Sequence, residues 1–100
     1  MASKPETLLV KKIKDYLHSL DQSFFFKIHG GLMQRAGISD LLGVLGGRFV
    51  AIEVKTPENK EGATPLQLNF ISKVNACGGV GFVARSVQEV KDYLTSHNIV

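Results

Sequence analysis

The sequence contains a single cysteine, Cys77, which excludes an internal disulfide and a zinc centre built on thiolates. Its three histidines, His18, His29 and His97, lie without the spacing of a ligand cluster, so nothing in the composition supports a zinc enzyme. No apolar run approaches the roughly 20 residues needed to span a bilayer. The opening stretch, Met1-Ala2-Ser3-Lys4-Pro5-Glu6, lacks the uninterrupted apolar segment of a secretory signal. An intracellular, soluble protein with no membrane partner is the expectation. Internal repeats, low-complexity tracts and linker-like shifts are also missing, which makes residues 1–100 one domain. Gly30-Gly31 is not followed by Gly-Lys-Ser/Thr, which excludes a P-loop, and no Ser/His/Asp arrangement is evident.

What is present suffices for a compact core, with 44% of residues apolar. The formal charge of +3, from 12 basic and 9 acidic residues, is a mild surplus compatible with a polyanionic partner. If Glu6, Asp40 and Glu53 gather in one cleft around a cation, the remaining surface is more basic than this total.

Periodicity predicts seven elements. A helix covers Ser3 to Leu20, with Ser3 and Glu6 as a capping box, Pro5 in its first turn, and Leu9, Ile13, Tyr16, Leu17 and Leu20 on one stripe. Glu6 shares that stripe. Phe24 to Ile28 reads as a strand whose aromatics belong to the core, not to a base-stacking platform. Asp40 to Leu45 and Arg48 to Lys55 read as strands joined by Gly46-Gly47, because glycine reaches the positive φ of a tight hairpin without strain. After a polar loop, Thr64-Pro65 opens a second helix with Leu66, Phe70, Val74 and Cys77 as its apolar face, closed by Gly78-Gly79. Val80 to Ala84 is a strand, and Ser86 with Glu89 caps a last helix carrying Val87, Val90 and Leu94. The order α-β-β-β-α-β-α suits an α/β fold, a four-stranded mixed sheet flanked by helices.

Glu53-Val54-Lys55 is the most informative triplet. Alternation along a strand puts Glu53 and Lys55 on one side with Phe49 and Ala51, and Val50, Ile52 and Val54 on the other. A carboxylate there can bind a hard cation, and an ammonium can stabilise developing phosphoryl charge. Taken alone, the triplet is better read as a solvated pair where a strand leaves the core. Asp40 alters that balance. Pairing the strands about Gly46-Gly47 sets Asp40 level with Glu53, and two facing carboxylates repel unless a cation or a proton intervenes. A Mg²⁺ or Mn²⁺ ion resolves the repulsion, with the Val54 carbonyl as a third candidate ligand; the bland reading of Asp40 is a turn cap after Gly37-Ile38-Ser39.

The pattern Gly37-Ile38-Ser39-Asp40, Glu53-Val54-Lys55 and Gln67 resembles the PD-(D/E)xK nuclease superfamily. Within it, the stretch from Lys27 to Arg85 is most similar to the virus-type replication-repair nuclease (VRR-NUC) domain. One departure is Ser39, which stands where the superfamily pattern has proline. The resemblance implies a restriction-endonuclease-like α-β-β-β-α-β core. Asp40 and Glu53 would be metal ligands, and Lys55 would position or activate water. Glu6 and Gln67 would take site roles, although each also has a capping role open to it. Lys11, Lys12, Lys27, Arg35 and Arg48 are candidate phosphate contacts, alongside Lys14, His29 and Gln34. The implied activity is Mg²⁺- or Mn²⁺-dependent hydrolysis of DNA by an endonuclease. Similar small family members act on branched DNA as dimers, which points to a Holliday junction resolvase, homodimeric, cytoplasmic or phage-encoded in a bacterial host. Nicks, flaps or single strands as substrate, or a non-catalytic DNA-binding module, are the alternatives.

Overall fold

A computed structural model describes residues 4–29 and 37–100. Among them the order is α1 (Pro5–His18), β1 (Ser23–Lys27), β2 (Leu41–Leu45), β3 (Arg48–Val54), α2 (Pro65–Ala76), β4 (Val80–Ala84) and α3 (Val87–Ser96). The strands form one sheet in the order β1-β2-β3-β4. The first three are antiparallel neighbours, and β3 pairs with β4 in parallel. This is the α/β mixed sheet that the periodicity predicts.

The hairpin between β2 and β3 follows from its turn. Gly46 and Gly47 have φ of +58° and +84°, the left-handed values that match the twist of a two-residue hairpin. Leu45 pairs with Arg48 and Leu41 with Ile52, which makes Asp40 and Glu53 the next residues along the same register.

One face of the sheet is closed by α1 and α3. Val10, Ile13 and Leu17 of α1 and Val90 and Leu94 of α3 pack with Leu41, Val50, Ile52, Val54, Phe82 and Ala84 into one buried cluster. Each aliphatic side chain so buried contributes about 1.5–3 kcal/mol. The other face carries only α2, which packs on β4 and β3. Its one buried residue is Ile71, seated against Gly81, where any Cβ would stand 3.2 Å from Ile71. At the same point Asn75 donates to Gly81 O at 3.0 Å and accepts from Gly81 N–H at 2.8 Å, so α2 satisfies part of the β4 edge.

Three local expectations change. Leu66, Phe70, Val74 and Cys77 are not the buried face of α2. They line an open cavity of about 500 Å³ together with Phe49, because α2 leans on the sheet through Ile71 and leaves that stripe at its rim. Of the aromatic strand only Phe25 is core; Phe24 is 68% exposed and Phe26 45%, since among the described residues no helix covers the β1–β2 half of this face. The N-cap of α1 is Lys4, with no side-chain cap bond, so Glu6 does not serve there as the cap residue's partner; Ser3 lies outside the described residues.

Candidate active site

Three segments distant in sequence converge where β3 ends. Val50 to Val54 are all buried, because β3 is a central strand with helices on both faces. Glu53 therefore leaves the apolar interior with only 1% of its surface exposed. Asp40, just ahead of β2, turns its carboxylate onto this strand: the Val54 N–H donates to Asp40 Oδ2 at 2.8 Å. The Asp40 main chain is fixed too, its carbonyl accepting from Ile28 N–H at 2.8 Å. Glu6, in the first turn of α1, supplies the third carboxylate. One oxygen each of Glu6, Asp40 and Glu53 lies within 4.8 Å of the others.

The electrostatics of this cluster are unbalanced. Burial pushes the Glu53 carboxyl up from 4.5 to about 8, reinforced by a hydrogen bond and like charge from Asp40 and opposed by Lys55. Lys55 Nζ stands 3.6 Å from Glu53 Oε2, an ion pair looser than a hydrogen bond. Glu53 Oε1 is buried without a hydrogen-bond partner among the described residues. A buried carboxylate oxygen left unpaired is costly, and a divalent cation among three acids removes both the orphaned acceptor and the repulsion. The donor set, all oxygen, suits Mg²⁺ or Mn²⁺ rather than a soft metal.

The structure thus gathers Glu6, Asp40, Glu53, Val54 and Lys55. Gln67 is engaged in a helix cap. Gln67 Oε1 accepts from Thr64 N–H at 2.8 Å while Gln67 N–H donates to Thr64 Oγ1 at 3.2 Å, a complete capping box at the start of α2. Among the candidate phosphate contacts, Lys12 is exposed and borders a cavity with Thr56 and Arg85. Lys11 is paired with Asp15 at 2.9 Å. Lys27 closes β1 opposite Leu41, next to Asp40. Arg48 stands at the hairpin, at the other end of β3 from Glu53. Arg35 and Gln34 lie outside the described residues. His29 is exposed.

Two features have no signature in the sequence. Ser39 is fully buried beside Asp40, with a hydroxyl that finds no partner. Arg85 donates through Nη1 to the carbonyls of Thr56 and Asn59, both at 2.7 Å, in the loop that leaves Lys55. A side chain that bonds main-chain carbonyls leaves no residue pattern to read.

No family model and no curated protein matches the sequence. Solved structures do. One described as a VRR_NUC domain superposes with a TM-score of 0.74 and 29% identity, over 95% of this chain and 98% of the other. A second, described as a VRR_NUC domain protein, gives a TM-score of 0.70 at 18% identity, over 96% and 89%.

Proposed function

Starting from a chain that carries the VRR-NUC domain fold over nearly its whole length, we propose that it is a metal-dependent endonuclease hydrolysing phosphodiester bonds in DNA. The observation that carries this reading is the buried, partnerless oxygen of Glu53 within a cluster of three acids on that fold. Asp40 and Glu53 hold Mg²⁺ or Mn²⁺, with Glu6 and the Val54 carbonyl as further ligands. The ion would supply Lewis-acid polarisation of the scissile phosphate and a lowered pKa for bound water. Lys55, whose side chain is 12% exposed, stabilises charge on the attacking water or on the phosphoryl oxygens. Asp40, fixed by the Val54 N–H, keeps the ligand set in one geometry. No covalent nucleophile takes part. Lys12 and Lys27 contact flanking phosphates, and Lys11, Arg35 and Arg48 add to the basic surface.

Structure-selective cutting of branched DNA is part of this reading. Two coordinated cuts in a four-way junction require two sites related by two-fold symmetry, and a homodimer provides them. The uncovered β1–β2 half of the sheet supports such pairing, with Phe24, Phe26, Val44 and Phe49 exposed. The other apolar candidate, the final segment, is less available because Ile99 packs on its own core. The reading is therefore a Holliday junction resolvase acting as a homodimer. Labelled four-way junctions, flaps, nicked duplex and single strands, incubated with Mg²⁺, Mn²⁺ or chelator, test it together with light scattering. Chelator-sensitive cutting that favours junctions, by a dimer, is the expected result. Cutting of flaps by a monomer refutes the resolvase, and no cutting of any substrate refutes the nuclease.

A further inference from the structure

Lys55 is the last point at which β3 is held by the sheet. The parallel ladder with β4 ends at Val54 and Ala84, and one further bond, Lys55 N–H to Ala84 O at 3.0 Å, extends it. Past that point the chain leaves as a loop that reaches α2 only at Thr64. Arg85, directly after β4, takes over there. Its Nη1 donates at 2.7 Å to Thr56 O and at 2.7 Å to Asn59 O. Thr56 O also accepts Asn59 N–H at 3.1 Å, which closes the turn, and Asn59 Oδ1 accepts the N–H groups of Glu61 and Gly62 at 3.1 Å each. The guanidinium thus ties this self-bonded turn to the end of β4. Arg85 is itself anchored, its N–H donating to Glu89 Oε1 at 2.8 Å at the start of α3.

Among the described residues no carboxylate lies within ion-pair distance of that guanidinium. Both hydrogens of Nη1 go to the carbonyls, and a charged donor makes the stronger kind of hydrogen bond. We propose that Arg85 is a positioning residue for the site: by fixing the peptides that follow Lys55, it presents the lysine side chain to the carboxylates in one place. The proposal rests on the nuclease reading. Arginine suits the task because its planar guanidinium holds the two Nη1 hydrogens in fixed directions, whereas lysine offers a compact charge on a flexible stem. Positioning matters because a displacement of about 1 Å at a reacting group can cost roughly a hundredfold in rate.

The test compares wild type with Arg85→Ala and Arg85→Lys at a temperature where circular dichroism finds all three folded. Turnover and KM are measured on the best-cut DNA with Mn²⁺, Mn²⁺ affinity by calorimetry, and amide exchange at Lys55 and Asn59 without metal. Arg85→Ala should lower kcat roughly 10–100-fold, leave KM and Mn²⁺ affinity within about twofold, and speed exchange at both amides; Arg85→Lys should recover part of kcat. Unchanged kcat with faster exchange reduces Arg85 to a loop staple and overturns the proposal. A raised KM with normal kcat makes it a phosphate contact and overturns it equally. Wild-type protein that cuts nothing overturns the nuclease reading and, with it, any positioning role.

Discussion

Glu53→Gln separates the electrostatics of the site from its chemistry. A Glu53 carboxyl titrating at about 8 in the folded protein and near 4.5 when unfolded keeps its proton over an interval where the unfolded chain has lost it. Below 4.5 both states are protonated, and the full stability is present. As pH rises the metal-free protein loses stability, and the loss is complete once the folded-state value is passed. At about 1.4 kcal/mol per pH unit, that interval sets a ceiling of about 5 kcal/mol. Shared titration with Asp40 and relaxation of the site reduce the observable part to about 2–4 kcal/mol. Glutamine mimics the protonated acid in volume and can donate the same hydrogen bond towards Asp40. The variant should therefore match wild type near pH 5 and exceed it near pH 9.

Urea unfolding in chelator, at steps from pH 5 to 9, measures this difference directly. For a chain of this size it corresponds to a melting shift on the order of 10 °C or more at the alkaline end. Addition of Mn²⁺ should restore the wild type at high pH and leave Glu53→Gln unmoved. At pH 7, calorimetry in buffers of different ionisation heat should find proton release on Mn²⁺ binding, because the ligand must be ionised. Parallel pH profiles for the two proteins would refute the argument, since they would mean that burial does not hold the proton.

Three further outcomes follow from the same geometry. Asp40→Asn should abolish cleavage while DNA binding persists or tightens, read by gel shift beside a cleavage assay; wild-type rates would end the metal-site model. Lys55→Ala should lower turnover by roughly 10²–10³-fold with Mn²⁺ affinity retained by calorimetry, whereas Lys60→Ala, on an exposed loop residue, should do almost nothing. Gln67→Ala should cost about 0.5–2 kcal/mol through the broken cap without changing activity per folded molecule, while Glu6→Gln should weaken Mn²⁺ binding with near-normal melting; melts and calorimetry together distinguish the two.

What was legible in the sequence was mostly local. The Gly46-Gly47 hairpin dictates the register from nearby residues alone, and that register puts Asp40 beside Glu53. The cap at Thr64-Gln67 is equally local, and so is the bond between the Ser86 side chain and Glu89 N–H. Exposure was less legible. An alternating strand such as Phe24-Phe25-Phe26 needs only one covered face, and which residues stay open depends on where three helices fall across the sheet. The helix α2 carries apolar residues at Leu66, Leu68, Phe70, Ile71 and Val74, enough for more than one stripe. Its close approach at Gly81 chooses Ile71. Glu6 and Gln67 were ambiguous because an acid or amide in a first turn serves a cap and a site equally well. Only the three-dimensional partners separate them: Gln67 spends its oxygen on Thr64, and Glu6 turns to the acids.

The position of the site follows from the same packing that builds the core. A central strand covered on both faces can carry apolar side chains to its end at no electrostatic cost, as Val50, Ile52 and Val54 do. Placing Glu53 one residue before that end instead creates a buried acid whose second oxygen lacks a donor. The surrounding core must hold that strained arrangement, and the covalently distant Asp40 worsens it by adding like charge. Asp40 is partly satisfied by the Val54 N–H, whereas Glu53 Oε1 has no such donor among the described residues. Lys55 relieves only part of the repulsion, because its Nζ remains 3.6 Å from one oxygen. A pair of acids that destabilises the metal-free fold, beside a lysine kept from full neutralisation, is the arrangement expected where ion binding, rather than folding, sets which residues stand at the end of β3.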